Sequence, residues 1–270
     1  MNDHQLPNVA VLIDAENVSA GYADRLFDQV ASIGCATVRR GYGDFTGLWS
    51  ASWARAFERH AITPRQQFSA GRGKNSADIA LVIDAMDLLN QGGIGAICLV
   101  SGDSDFTPLA LRIREQGVPL FGYGNAKSPE RLRNACKKFS YLENLGILPR
   151  TMPWRSSKTS LQPVEEAVTL LRRAIAHTEI QDSWALIGEV EVQLIRMRPD
   201  FDPRTYGFDS LLELVRRIKG LDVDLRDDTG PRLRLKRKVS KPQPAGTSTI
   251  GSAAPSGRVP RAMPVGCRVR

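Results

Sequence analysis

Residues 99–110 read LVSGDSDFTPLA. The apolar run Ala96–Val100 passes directly into Ser-Gly-Asp-Ser-Asp, and a helical pattern follows from Asp105 to Gln116. A short, uninterrupted apolar run is how a strand buried on both faces reads, and such strands belong to parallel sheets covered by helices. The same grammar occurs at the start of the chain, where Val9–Ile13 (VAVLI) ends on Asp14. Ligands of such sheets gather beyond the carboxyl ends of the strands, where strand order reverses. Two strand ends that carry acids therefore mark where chemistry is expected.

Working outward, strand-like and helix-like segments alternate through residue 145. A helix is expected over Ala20–Ala31, a strand over Thr37–Gly43, a helix over Leu48–Arg59 and a strand over Ile62–Phe68. After the loop SAGRGKN, Ser76–Leu89 has helical periodicity, with Ile79, Val82, Ile83, Met86 and Leu89 on one side as the expected buried stripe. VPLFGYG (118–124) is a further strand. Pro129 opens a helix through ERLRNACKKF (130–139), and SYLENL closes the region. Short connections between strand and helix imply an α/β fold, a mostly parallel sheet with helices on both faces.

This first domain is expected over residues 1–147. Residues 148–163, rich in Pro, Ser and Thr, read as a linker. Residues 164–238 read as three helices and a hairpin around DDTG, a small winged-helix-like α+β domain. Residues 239–270, dense in Pro, Gly and Ser, read as a disordered basic tail. The net charge of +8 belongs mostly to the C-terminal stretch from Pro231 onward: residues 231–270 hold ten Lys or Arg and no acid, which leaves 27 basic and 29 acidic side chains before them. Nucleic acid or another anionic surface is the partner such a tail suits.

Several functional classes lose support. The four cysteines are scattered with no Cys-x-x-Cys pair, so neither a disulfide framework nor a zinc site is indicated. No apolar run approaches the ~20 residues that span a bilayer, and no signal-peptide pattern opens the chain, so a cytoplasmic location without membrane contact is expected. GRGKNS departs from the Gly-x-x-x-x-Gly-Lys-Ser/Thr phosphate loop. His4, His60 and His177 are the only histidines, and none stands with the acids.

Asp14, Asp103 and Asp105 follow strands, and Asp78 falls in the first turn of the helix opening at Ser76. If the two acid-bearing strands are neighbours, all four converge. Carboxylates packed together repel unless a cation compensates. Oxygen-only ligands suit Mg²⁺ or Mn²⁺ rather than zinc. The plainer reading makes Asp105 an N-cap and Asp78 surface decoration, but one cap per helix suffices and cannot account for Asp103, Asp105 and Asp14 together. Asp84 and Asp87 read as surface acids, and Glu16 and Asn17 as loop residues or orienters of a metal-bound water. Ser101, Arg72 and Lys74 are expected to contact a substrate phosphate.

The segments VLIDAENV, GRGKNSADIALVIDAMDLL and LVSGDSDFTPLALRIREQGVPLFGYG, in that order, resemble the NYN domain family, a PIN-like, LabA-like branch of metal-dependent ribonucleases. The resemblance implies a Rossmann-like fold and acids that bind a divalent metal for RNA cleavage. Its motif positions fall on Asp14, Asn17, Asp78, Asp103 and Asp105. Residues 164–238 are similar to the OST-HTH/LOTUS domain, which implies RNA binding. There Arg196, Arg198, Arg204, Arg216, Arg217 and Lys219 form a basic surface, and Tyr206 and Phe208 serve either as a stacking platform or as core. The expectation is a metal-dependent ribonuclease acting on single-stranded or structured RNA, with DNA the alternative polymer. An RNA-binding regulator without nuclease activity and a phosphotransfer enzyme are the rivals.

Overall fold

The run Val9–Ile13 is wholly buried, as a strand covered on both faces must be. A computed structural model of the chain describes residues 6–47, 50–68, 75–146, 161–179, 183–225 and 230–236. Arg72, Lys74, most of the expected linker and the expected tail lie outside the described residues.

The first domain is built on strands β1 (Asn8–Asp14), β2 (Cys35–Gly43), β3 (Thr63–Gln66), β4 (Ala96–Val100), β5 (Leu120–Gly124) and β6 (Lys138–Tyr141). They form one sheet in the order β3-β2-β1-β4-β5-β6, with every pair parallel. The chain moves outward from β1 to β3, then returns to place β4 on the other side of β1. Strand order therefore reverses between β1 and β4, and that crevice is where a ligand of this architecture binds.

Alternate residues of β1 serve opposite layers. Ala10 and Leu12 join Leu81, Ala85, Leu99, Phe106 and Ile113 beneath helices α3 (Ser76–Gln91) and α4 (Thr107–Glu115). Val9, Val11 and Ile13 join Leu26, Val30, Trp53 and Cys98 beneath α1 (Ala23–Ala31) and α2 (Ser50–His60). This is the period of two that puts successive strand side chains on opposite faces.

Four local expectations are corrected. The face of α3 that enters the core is Ala77, Leu81, Ala85 and Leu88; of the expected stripe, Val82, Met86 and Leu89 pack against that core, whereas Ile79 and Ile83 are 60% and 54% exposed. The helix is apolar nearly all round, so periodicity alone does not choose its inner face, and the small alanines let it approach the sheet. The segment 130–139 is not one helix. Helix α5 stops at Ala135, and the chain re-extends as β6. Gly122 makes the room: a Cβ there would stand 2.5 Å from the Phe139 ring and 2.7 Å from Cys136 Sγ. The helix after the Gly-Asp-Ser-Asp turn begins at Thr107, preceded by a 3-10 turn over Ser104–Phe106. Asp84 is no surface acid, since it accepts a hydrogen bond from Tyr42 Oη at 2.7 Å and pairs with Arg40 at 3.1 Å and Arg65 at 3.3 Å.

The second domain comprises α6 (Val164–Ala176), α7 (Ile187–Met197) and α8 (Leu211–Arg217) against a small sheet of β7 (Ala185–Leu186), β8 (Leu221–Asp224) and β9 (Arg232–Leu235), in the order β7-β9-β8. The β8–β9 pair is antiparallel, as the alternation around DDTG predicts. Tyr206 is 4% exposed in its core and Phe208 packs against that core, so the core reading of these aromatics holds and the stacking platform does not. This domain also bonds to β6: Phe139 N–H donates to the Pro199 carbonyl at 2.8 Å. The Asp200 carboxylate is buried and receives Arg133, Tyr141 Oη at 2.6 Å and Arg198 Nε at 3.2 Å. Burial, reinforced by the hydrogen bond to Asp200, pushes the Tyr141 hydroxyl up to about 12. Beside it, Asn144 donates to Asp202 at 3.0 Å, and Arg204 donates to the Asn144 carbonyl at 2.6 Å.

Candidate active site

Strand register assembles the site. Ile13 lies opposite Val100, so the next residues along the two strands, Asp14 and Ser101, meet at the crevice. Ser101 Oγ donates to Asp14 Oδ2 at 2.7 Å. Asn17 completes the grip, its Nδ2 donating to Oδ2 at 2.9 Å and its backbone N–H to Oδ1 at 3.2 Å. Asp14 is 1% exposed. Burial raises its pKa, the hydrogen bonds from Asn17 and Ser101 pull it back toward the charged form, and the Asp103 charge raises it further. Trp53 Nε1 donates to the Ala15 carbonyl at 3.0 Å and pins the backbone just beyond.

Asp103 caps the 3-10 turn. Its Oδ1 accepts the Asp105 N–H at 2.9 Å, and its own N–H donates to Ser101 Oγ at 3.1 Å. Ser101 thus joins Asp14 to the Asp103 turn. The capping role expected for Asp105 belongs to Asp103, which leaves the Asp105 side chain exposed in the first turn. Glu16 Oε1 accepts the Asp44 N–H at 3.0 Å.

Asp78 approaches from α3. Its carboxyl is pushed up to about 6, first by desolvation and then by the charges of Asp14, Asp103, Glu16 and Asp105. Asp78 therefore lies within electrostatic reach of four other acids, and the five come from three separate chain segments. The four acids expected from sequence come together in this sense, and Glu16 joins them. Its position two residues past a strand end, facing neither core, is the signal that hinted at it. Ser101 and Asn17 are at the site too, but both are engaged by Asp14.

The donor set is all oxygen and all anionic. Desolvation and then the neighbouring carboxylates raise Asp78, and an all-oxygen, anionic set is of the kind that suits Mg²⁺ or Mn²⁺ rather than zinc. Among the described residues, no three of the His, Cys, Asp and Glu side chains stand close enough together to hold a metal ion. The set thus fits a hard cation in chemistry and charge, with spacing more open than direct ligation by three carboxylates requires.

A parallel sheet wrapped by helices on both faces, with acids at its topological switch point, defines a PIN-like domain. The NYN domain family matches residues 8–143, and the OST-HTH/LOTUS domain family matches residues 161–233. The chain belongs to the NYN domain family and carries an OST-HTH/LOTUS domain behind it. Both domain types are RNA-associated, and membership supports a general nuclease or RNA-processing role. No curated protein matches the sequence. Among solved structures, the chain is similar to a protein of unknown function from Vibrio parahaemolyticus. The two are 16% identical over 55% of this chain and 100% of that one, at a TM-score of 0.47. It is also similar to MurG from Acinetobacter baumannii, 16% identical over 78% of this chain and 69% of that one, at a TM-score of 0.34.

Proposed function

We propose that the protein is a metal-dependent ribonuclease whose first domain cleaves RNA phosphodiester bonds while the second domain holds the substrate. The observation that supports this reading is geometric: Ser101 Oγ donates to Asp14 and accepts the Asp103 N–H, which draws the acid-bearing ends of β1 and β4 together at the switch point of the sheet. Asp14, Asp78, Asp103 and Asp105 would hold Mg²⁺ or Mn²⁺. Such an ion supplies charge neutralisation of a phosphodiester and orientation of a nucleophilic water. The chain's own residues do the positioning. Ser101 and Asn17 fix the Asp14 carboxylate, and Ser101 Oγ, by accepting the Asp103 N–H, ties the β4 turn to it. Arg72 and Lys74, shortly before α3 in the sequence, are proposed to contact substrate phosphate. On the second domain, Arg196, Arg216, Arg217 and Lys219 are exposed and suited to phosphate contacts whose strength falls as salt rises. The cytoplasm is the proposed location.

The open spacing of the carboxylates favours a second reading, an RNA-binding regulator with little or no nuclease activity. Purified protein incubated with labelled single-stranded RNA in Mg²⁺ or Mn²⁺, and again with chelator, separates the two. Metal-dependent cleavage is expected. Binding without cleavage under either metal, from folded protein, leaves the regulator. Faster cleavage of single-stranded DNA reassigns the polymer.

A further inference from the structure

The turn after β5, Asn125–Ser128, packs directly against the turn that carries Asp103. A Cβ on Gly102 would stand 2.6 Å from Ser128 Oγ and 3.1 Å from Asn125 Nδ2, and one on Gly124 would stand 2.5 Å from Ser128 Oγ and 3.0 Å from the Gly102 Cα. Two glycines at adjacent strand ends thus leave a seam at the carboxyl rim of the sheet, and polar side chains fill it. Within the turn, Asn125 Oδ1 accepts the Lys127 N–H at 2.8 Å and the Asn125 carbonyl accepts the Ser128 N–H at 3.0 Å. Asn125 thereby uses its oxygen locally and turns its NH₂ group toward Gly102. The Ala126 N–H donates to Glu143 Oε1 at 3.1 Å, which braces the turn. Ser128 is 3% exposed, yet its Oγ has no hydrogen-bond partner among the described residues. A buried hydroxyl left unpaired costs stability, so its retention asks for a partner absent from the free protein. Lys127, at the apex, is exposed.

We infer that the Asn125–Ser128 turn is a phosphate seat, which holds a backbone phosphate of RNA flanking the one at the acids through Asn125 Nδ2, the Lys127 ammonium and the Ser128 hydroxyl. The inference rests on the ribonuclease reading and adds to it a binding element on the far side of the Asp103 turn from α3. A site of five carboxylates repels a polyanion, and cationic and amide donors beside it supply the opposing attraction. None of these residues is needed for metal binding, so the seat acts on substrate affinity rather than on chemistry.

The test is binding of a fluorescein-labelled oligouridine to the full chain in chelator, where no cleavage occurs, across a salt series. Asn125→Ala removes a charge-assisted hydrogen bond and is expected to weaken binding about tenfold. Lys127→Ala should lower the magnitude of the logarithmic salt slope by ~0.7, the value for one phosphate contact on a single strand, and Lys127→Arg should restore it. Ser128→Ala is expected to leave the melting temperature unchanged or higher, since an unpaired hydroxyl is deleted, while still weakening RNA binding. In metal, the variants should raise KM and leave kcat unchanged. If wild-type protein binds RNA and all three alanine variants bind it equally well with an unchanged salt slope, the seat is wrong and the ribonuclease reading stands. If wild-type protein binds no RNA, both fall.

Discussion

Replacing Asp78 by Asn should stabilise the metal-free protein while destroying its function. The carboxyl sits at about 6 against an ordinary value of 3.8, so the fold prefers it protonated. The sign follows directly: the folded chain holds a proton that the unfolded chain releases, and stability is therefore lost as pH rises from 3.8 to about 6. Unscreened, that interval corresponds to about 3 kcal/mol. Asp78 is partly exposed and its neighbours face solvent, so screening reduces the cost at neutral pH to on the order of 1 kcal/mol. Asn removes it, and a chain of this size should melt ~2–4 °C higher at pH 7.5. At pH 4.5 the gain should shrink, because the folded wild-type carboxyl is then mostly protonated and only the unfolded chain has begun to release its proton. Mg²⁺ or Mn²⁺ should raise the melting temperature of wild-type protein and raise that of the variant less, since one ligand is gone. Thermal melts at both pH values, with and without metal, check all of this. A variant less stable than wild type at pH 7.5 would refute the crowding of charge on which the site rests.

Asp103→Asn should abolish metal-dependent cleavage with the fold intact, because Asn keeps the cap on the 3-10 turn but loses the charge. Undiminished cleavage removes Asp103 from the site. Cleavage by wild-type protein should fall as pH drops through about 6, where a proton competes with the cation for Asp78. A rate unchanged between pH 7.5 and pH 5 contradicts that. Asp200→Ala should cost about 3–5 kcal/mol, since it leaves Arg133 unpaired in a mostly buried setting. Denaturant melts measure it, and a loss below 1 kcal/mol would show that the contact between Asp200 and β6 does not hold in solution.

What the sequence made legible follows from how each feature is encoded. Strands β1 and β4 are buried on both faces, so they write themselves as unbroken apolar runs, and an acid just past each run can only sit at the carboxyl rim. That reasoning located Asp14, Asp103 and Asp105, and the helical first turn located Asp78. Periodicity failed on α3, where Ile79 and Ile83 look more core-like than Ala77 and Ala85, yet the sheet selects the small residues because they permit close approach. It failed again at β6, which depends on the space beside Gly122 rather than on any pattern in its own four residues. Asp84, Asp200 and Ser128 owe their settings to partners 42, 67 and 26 positions away, and no local signal encodes such pairings. A hydroxyl just past a strand end suits phosphate, so Ser101 reads from sequence as a substrate contact, whereas in the fold it donates to Asp14. Its place opposite Asp14 needed the strand register.

The central claim is that acids from separate segments form one seat for a hard divalent cation. Calorimetric titration of Mn²⁺ into the metal-free protein at pH 7.5 tests it directly, with the Asp14→Asn and Asp78→Asn variants alongside. The account predicts saturable binding to wild-type protein and marked weakening in each variant, although their altered carboxylates come from different elements. Binding that is absent from folded wild-type protein, or as tight in both variants as in wild type, would contradict it.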